Sequence, residues 1–196
     1  TLRVYADPAQ GVSLTVAAPE AFGFLDAGVG QIQIDGSQLA VGRGQAISLV
    51  GGEITLTSGA RLQAGDGHIN LIGVSSGGEV ALPPDSIRNT TTRANISLTD
   101  SEIDVNNLSR SETVGRILMQ GDRITARNGS HLQARNKSRI DAVGNSVDLQ
   151  ANVIELTGSE ITATVTGDGT GGSVRLQAAD RVDVYNCMLY TRSYTA

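Results

Sequence analysis

A six-residue pattern recurs along the chain, and it constrains the fold more than any other feature of the sequence. Each copy has a turn-forming residue, a small residue, a free position, an aliphatic residue, a second free position, and then Ala, Val or Thr. The copies are Gly36–Val41, Gly59–Ala64, Asp100–Val105, Gly129–Ala134, Gly158–Ala163 and Asn186–Thr191. Their starting points are 23, 41, 29, 29 and 28 residues apart, which indicates a repeated structural unit.

Short segments of alternating apolar residues precede these hexapeptides. Ile54–Leu56 and Ile154–Leu156 are examples, and Ile47–Leu49 and Val147–Leu149 lie further upstream. Alternation with a period of two is typical of strands. One unit of three short strands cannot bury its apolar side alone, whereas stacked units pair each strand with its counterpart in the next unit.

We therefore predict an all-β fold, a right-handed parallel β-helix (a solenoid) of about six coils with three short strands per coil. We expect residues 1–196 to form a single β-helix domain that belongs to a longer protein. Hydrophobic residues make up 39% of the chain and aromatic residues only 3%, so the interior must be narrow and filled by aliphatic side chains.

Columns of like residues are predicted to point into this β-helix, one above the other. The small column contains Ser37, Ala60, Ser101, Ser130, Ser159 and Cys187. The aliphatic column contains Leu39, Leu62, Ile103, Leu132, Ile161 and Leu189. A third column, of Val41, Ala64, Val105, Ala134, Ala163 and Thr191, completes the inward set. The free positions between them are expected to face water.

The step from Gly59 to Asp100 is too long for one ordinary coil. It contains residues 75–94, which include Pro83 and Pro84. Proline cannot donate a hydrogen bond to a central strand ladder. We therefore predict an irregular excursion near 75–94, and a tolerated surface insertion is favoured over a binding loop.

Charge and cysteine content exclude several classes of protein. The net charge is −5, which disfavours nucleic-acid binding because phosphate neutralisation needs clustered cations. The single cysteine, Cys187, rules out an intrachain disulfide framework. No apolar run approaches the roughly 20 residues of a membrane-spanning helix, so no membrane span is predicted.

Three stretches of the sequence carry a resemblance to a known family. They are AFGFL at 21–25, SLVGGEITLTSGARLQAGDGHINL at 48–71 and GVSSGGEV at 73–80. Together they resemble the filamentous-haemagglutinin family of bacterial exoproteins. Residues 95–191 are similar only as generic repeats of the same kind. The resemblance implies a right-handed parallel β-helix, an outer-membrane transporter of the two-partner secretion route as partner, and adhesion or aggregation at the bacterial cell surface or in the medium. The Asn-rich motifs of the family's secretion domain are missing here, so no residue is assigned to transporter recognition.

Candidate catalytic and metal-binding residues are few. Asp100, Glu102 and Asp104 are predicted to face outward on one strand, where a solvated face is favoured over a calcium site or an acid–base pair. The two histidines, His68 and His131, are far apart in sequence, which argues against zinc. Cys187 replaces serine in the small column and is expected to be an inert thiol. No cofactor or metal is predicted.

A cluster of basic residues offers a tentative surface contact. It consists of Arg123, Arg127, Arg135, Lys137 and Arg139. Such a cluster can meet anionic polysaccharide or lipid headgroups, although solvated turn residues are the favoured interpretation. Aromatic residues do not alternate with these cations, which disfavours nucleic acid.

Two function classes remain, and a third is disfavoured. We expect a non-enzymatic, structural and adhesive rod that contacts cell-surface glycans. The alternative is a polysaccharide-active β-helix enzyme of the pectin-lyase type, for which Asp100, Asp104 and Asp122 are the nearest approach to an acidic cluster. Ice binding needs flat outward threonine arrays, and the varied outward residues Arg61, Glu102 and His131 disfavour it.

Overall fold

A computed structural model of the chain describes residues 21–25, 28–81, 92–106, 114–137, 146–166 and 172–194. These residues contain strands and turns and no helix, so the all-β prediction is confirmed. The strands are β1 (Ala21–Phe24), β2 (Ile32–Asp35), β3 (Gln38–Ala40), β4 (Ala46–Gly51), β5 (Ile54–Thr57), β6 (Arg61–Gln63), β7 (His68–Gly73), β8 (Gly78–Ala81), β9 (Ile96–Thr99), β10 (Glu102–Asp104), β11 (Arg116–Gln120), β12 (Arg123–Arg127), β13 (His131–Asn136), β14 (Val147–Thr157), β15 (Glu160–Thr166), β16 (Val174–Tyr185) and β17 (Met188–Tyr194).

Two parallel sheets contain most of these strands. The six-stranded sheet has the order β17-β15-β13-β10-β6-β3. The nine-stranded sheet has the order β2-β5-β9-β12-β14-β11-β7-β4, and β16 also pairs with β14. Every pair in both sheets is parallel. The prediction of mostly parallel strands is therefore confirmed.

The register of the six-stranded sheet places like residues side by side. Leu39 pairs with Leu62, and Leu62 with Ile103. The series continues from Ile103 through Leu132 and Ile161 to Leu189. In the nine-stranded sheet, Ile54, Ile96, Ile124 and Ile154 pair in the same way, and each is completely buried. Residues of both sheets share one hydrophobic core.

The first residue of every hexapeptide adopts a left-handed backbone conformation. The φ angle is 55° at Gly36, 78° at Gly59, 49° at Asp100, 78° at Gly129, 58° at Gly158 and 51° at Asn186. Glycine enters this region without a Cβ penalty, and Asn and Asp tolerate it better than other residues. This turn is the physical reason for the Gly, Asp and Asn at the first position.

The second position of the hexapeptide carries a side-chain hydroxyl or thiol in every copy except that of Ala60, and this group hydrogen-bonds a backbone carbonyl. Ser101 Oγ donates to the carbonyl of Thr99 at 2.9 Å, and Ser159 Oγ donates to that of Thr157 at 3.1 Å. Cys187 Sγ makes the equivalent contact with the Tyr185 carbonyl at 3.3 Å. These bonds satisfy backbone carbonyls at the corner between the two sheets.

Two long strands depart from the predicted three short strands per repeat. β14 and β16 are each one continuous strand at a place where other repeats have two separate strands. The pairing of β14 with β16 has a register shift between Ala151 and Val153. The other repeats turn at this corner through glycine, for example Gly121. Where alanine replaces glycine, the strand continues through a β-bulge instead.

The segment near 75–94 leaves the parallel sheets, as far as it is described. Within it, β8 pairs antiparallel with β1, so that Phe22 lies opposite Val80. Val80 of this two-stranded sheet belongs to a small second hydrophobic cluster with Ile72 and Val74, against which Phe24 packs. Pro83 and Pro84 lie outside the described residues.

Five predicted inward residues are exposed, which corrects their expected burial. They are Ser37, Leu39 (36% exposed), Val41 (38% exposed), Leu189 (41% exposed) and Thr191. The reason is their position on or beside β3 and β17, the outer strands of the six-stranded sheet, which have a strand neighbour on one side only among the described residues. Ser101, Ser130, Ser159, Leu62, Ile103, Leu132 and Ile161 are buried, and Cys187 is half-buried.

Candidate functional site

The predicted basic cluster is divided between the two parallel sheets. Arg123 and Arg127 lie at the two ends of β12 in the nine-stranded sheet. Arg135 lies near the end of β13 in the six-stranded sheet, and Lys137 follows that strand. Arg139 lies outside the described residues. These side chains therefore share no single strand or sheet.

Glu155 neutralises part of this positive charge. Its Oε1 accepts hydrogen bonds from Arg123 Nη1 and, at 2.8 Å, from Arg181 Nη2. Arg181 Nε also donates to Asp183 Oδ2 at 2.7 Å. The hydrogen bond from Arg123, and to a smaller extent that from Arg181, holds the pKa of Glu155 below its ordinary value. Arg123 is thus engaged within the sheet rather than free for a ligand.

This ion-pair network predicts a pH-dependent contribution to stability. Because the folded-state pKa of Glu155 is lowered, its stabilisation is present above the ordinary carboxyl pKa and is lost as the pH falls through the folded value. Glu155→Gln should therefore lower the urea midpoint at pH 7, by less than about 1 kcal/mol of unfolding free energy. The difference from the parent chain should vanish at strongly acidic pH.

Glu53→Gln is the matched control for this prediction. Glu53 is exposed in the turn between β4 and β5 and has no ion pair within the described residues. Its variant should show the same pH profile as the parent chain. A Glu155→Gln effect that persists unchanged into acid would contradict a role for the carboxylate charge.

The outer face of the six-stranded sheet carries matched charges. Arg135 Nη2 lies 3.8 Å from Glu160 Oε1, and His131 Nδ1 lies 3.6 Å from Glu160 Oε2. Arg61 Nη2 donates to Glu102 Oε1 at 2.7 Å on neighbouring strands. Exposed pairs of this kind contribute little stability. They do, however, reduce the positive charge that Arg135 can present to an anionic surface.

The acidic residues considered for catalysis do not gather at one place. Asp104 lies on β10 of the six-stranded sheet, on the face opposite to Ile103, but it is only 8% exposed, so it is less accessible to a substrate than the sequence predicts. Its Oδ1 accepts a hydrogen bond from the Asn106 backbone N–H at 2.7 Å. Asp122 is at the β11–β12 turn, where its Oδ1 accepts from Asn152 Nδ2 at 2.6 Å. Asp100 occupies a left-handed turn.

Cys187 and His131 line one surface cavity of about 330 Å³ together with Ser159, Glu160 and Met188. The thiol of Cys187 already contacts the Tyr185 carbonyl. A nucleophilic thiol needs a base within hydrogen-bond reach, and His131 Nδ1 is directed at Glu160. Among the described residues, no three His, Cys, Asp or Glu side chains form a group that could hold a metal ion.

Polar residues on the outer face of the nine-stranded sheet are more deeply buried than the sequence predicts. Asp148 is 2% exposed, with Arg116 Nη2 at 3.8 Å and Arg175 Nη1 at 4.0 Å. Gln120, also 2% exposed, donates from Nε2 to Gln150 Oε1 at 3.1 Å. The signal was present in the sequence, because Gln follows the inward Leu or Met in ILMQ (117–120), VDLQ (147–150) and VRLQ (174–177).

A surface groove of about 270 Å³ opens beside these glutamines. It lies where β14 and β16 bend, and sequence analysis did not predict it. Its lining residues are Arg93, Gln150, Ala151, Asn152, Gln177, Ala178 and Ala179. The groove combines one cation with several side-chain amides, which makes it a candidate binding site for a small polar ligand.

Comparison of the chain with family models, with curated proteins and with solved structures finds no match in any of the three. In the part of the chain that the structure describes, no helix has the length and apolar character needed to cross a membrane.

Proposed function

We propose that the chain is a right-handed parallel β-helix of about six coils that serves as a structural and adhesive segment of a secreted bacterial exoprotein of the filamentous-haemagglutinin type. The observation that carries the proposal is the in-register series from Leu39 to Leu189 across all strands of the six-stranded sheet. A solenoid requires each repeat to return to the same sheet in the same direction and to place a similar residue at the same position.

The adhesive role is supported by the contrast between the inner and outer residues. Inner positions such as Leu62 and Ile161 are uniform and buried, whereas the outer positions that pair beside them carry Arg61, Glu102, His131 and Glu160. Stacked strands provide stiffness, and varied outer side chains provide contacts to a surface. Repeated weak contacts along one rod strengthen attachment through multivalency.

Secretion and cell-surface localisation, with an outer-membrane transporter of the two-partner route as partner, are part of the same proposal. They rest on the resemblance of residues 19–74 to that family. The pectin-lyase alternative is less well supported, because Asp104 lies in the six-stranded sheet and Asp122 beside the nine-stranded one.

Attachment is tested with the purified chain on a glycan array and on whole cells. We expect saturable binding that a heat-unfolded sample lacks, because the outer surface exists only when the strands are stacked. Removing residues 75–94 shows whether the excursion takes part. Absence of binding to every glycan and cell type would overturn the adhesive role. Newly formed reducing or unsaturated ends from a uronic-acid polymer would favour the enzyme instead.

A further inference from the structure

The groove between β14 and β16 presents hydrogen-bond donors that the protein itself does not use. Gln150 Oε1 is taken by Gln120 Nε2 at 3.1 Å, and Gln177 Oε1 accepts a hydrogen bond from Arg175. Within the described ranges, neither the Gln150 nor the Gln177 side-chain N–H₂ has a protein acceptor. Because Gln150 and Gln177 are register partners, their donors lie on neighbouring strands.

Arg93 supplies the charge of the groove. Its Nη1 lies 3.5 Å from the Gln150 carbonyl oxygen, a long contact. It has no carboxylate partner among the described residues, in contrast to Arg61 and Arg123, which pair with Glu102 and Glu155. Most of the guanidinium donors of Arg93 are therefore available, in the fork geometry that suits a carboxylate.

Ala151, Ala178 and Ala179 also line the groove. The Ala151 and Ala178 side chains pack in or against the hydrophobic core, so at these positions no large side chain stands between a ligand and the strands. One acidic side chain beside the groove, Asp122, accepts a hydrogen bond from the side-chain amide of Asn152 at 2.6 Å, so part of its charge is already engaged. The volume of about 270 Å³ is just below the usual range of small-molecule sites, which suits one monosaccharide unit better than an oligomer.

We propose that this groove binds one carboxylate-bearing sugar unit, of the uronic-acid class, within an acidic polysaccharide. The sugar carboxylate accepts hydrogen bonds from Arg93, and its hydroxyl oxygens accept from the side-chain amides of Gln150 and Gln177. The inference rests on the proposed attachment function and specifies which class of glycan is recognised and where.

The test is calorimetric titration of the full chain with trigalacturonate and with its methyl ester, in which each carboxylate is capped by a methyl group and carries no charge. We expect trigalacturonate to bind and the ester to bind at least about tenfold more weakly. Arg93→Gln should weaken trigalacturonate binding by about tenfold or more, with an unchanged circular dichroism spectrum. Arg61→Gln removes the same charge from the other sheet and should leave the affinity unchanged.

Equal affinity for the acid and the ester overturns the preference for a carboxylate. Parent-like affinity of Arg93→Gln, or an equal loss in Arg61→Gln, overturns the assignment to this groove. If the chain binds cells or neutral glycans but not trigalacturonate, this inference fails while the attachment function stands. If it binds no glycan and no cell, the attachment function itself fails.

Discussion

Leu132→Ala is expected to lower the free energy of unfolding by about 2–5 kcal/mol, the usual cost of a buried leucine truncated to alanine. Leu132 is 1% exposed and lies between Ile103 and Ile161 on neighbouring strands. Because Leu132 packs between residues of both adjacent strands and against the opposite sheet, the surrounding side chains can move little to fill the cavity. Urea unfolding followed by circular dichroism measures the effect.

Leu39→Ala is the matched control, because it makes the same chemical change in the same column of residues. Leu39 is 36% exposed, and among the described residues its one strand partner is Leu62. Its truncation to alanine should lower the free energy of unfolding by about 1 kcal/mol or less. Equal losses in the two variants would show that position within the column does not matter, which would contradict stacking of like residues as the source of stability.

Much of the strand order could be predicted from the sequence because the physics at each hexapeptide is local. A left-handed turn favours glycine or asparagine, as at Gly36 and Asn186. The alternation of side chains along the following strand then determines which of them face the core. When the same local rule recurs, equivalent residues such as Leu62, Ile103 and Leu132 come into register. We infer from this repeated register that the repeats stack into a solenoid, which is part of the proposed function.

The corners and the outer faces could not be predicted, because they depend on contacts between distant residues. Whether a strand ends at Gly121 or continues through Ala151 depends on how the bulge is accommodated by neighbouring strands. The pairing of Phe22 with Val80 joins segments that have no common pattern. The ion pairs of Glu155 and Glu160 depend on cross-strand neighbours, and a free arginine looks the same in sequence as a paired one.

The candidate groove illustrates the same limit. Recurrent glutamines at 120, 150 and 177 were visible in the sequence, but their meaning depends on two structural facts. One is the hydrogen bond from Gln120 that occupies Gln150 Oε1. The other is the position of Arg93, near the end of the 75–94 excursion, at the edge of the groove. Both facts require the three-dimensional arrangement of strands that lie far apart along the chain.

Gly67→Ala is expected to destabilise the chain by about 3 kcal/mol, at the upper end of what overpacking costs. Gly67 lies at the β6–β7 turn, where a Cβ atom would stand 1.8 Å from the carbonyl oxygen of Gln45. The obstacle is backbone, so no side chain can rotate away. To make room, the turn before β7 must separate from the one before β4, which strains the parallel pairing of His68 with Ala46.

The same displacement should affect the next strand, because the Arg116 backbone N–H donates to the Gly67 carbonyl at 3.1 Å. Gly30→Ala is the control: a Cβ atom there has no heavy atom within 4 Å, and removing a glycine can even stabilise slightly by restricting the unfolded chain. Thermal and urea unfolding of both variants measure the difference. A Gly67→Ala chain as stable as Gly30→Ala would mean that the turns before β4 and β7 are not held in contact, and the close stacking of successive repeats would then be wrong.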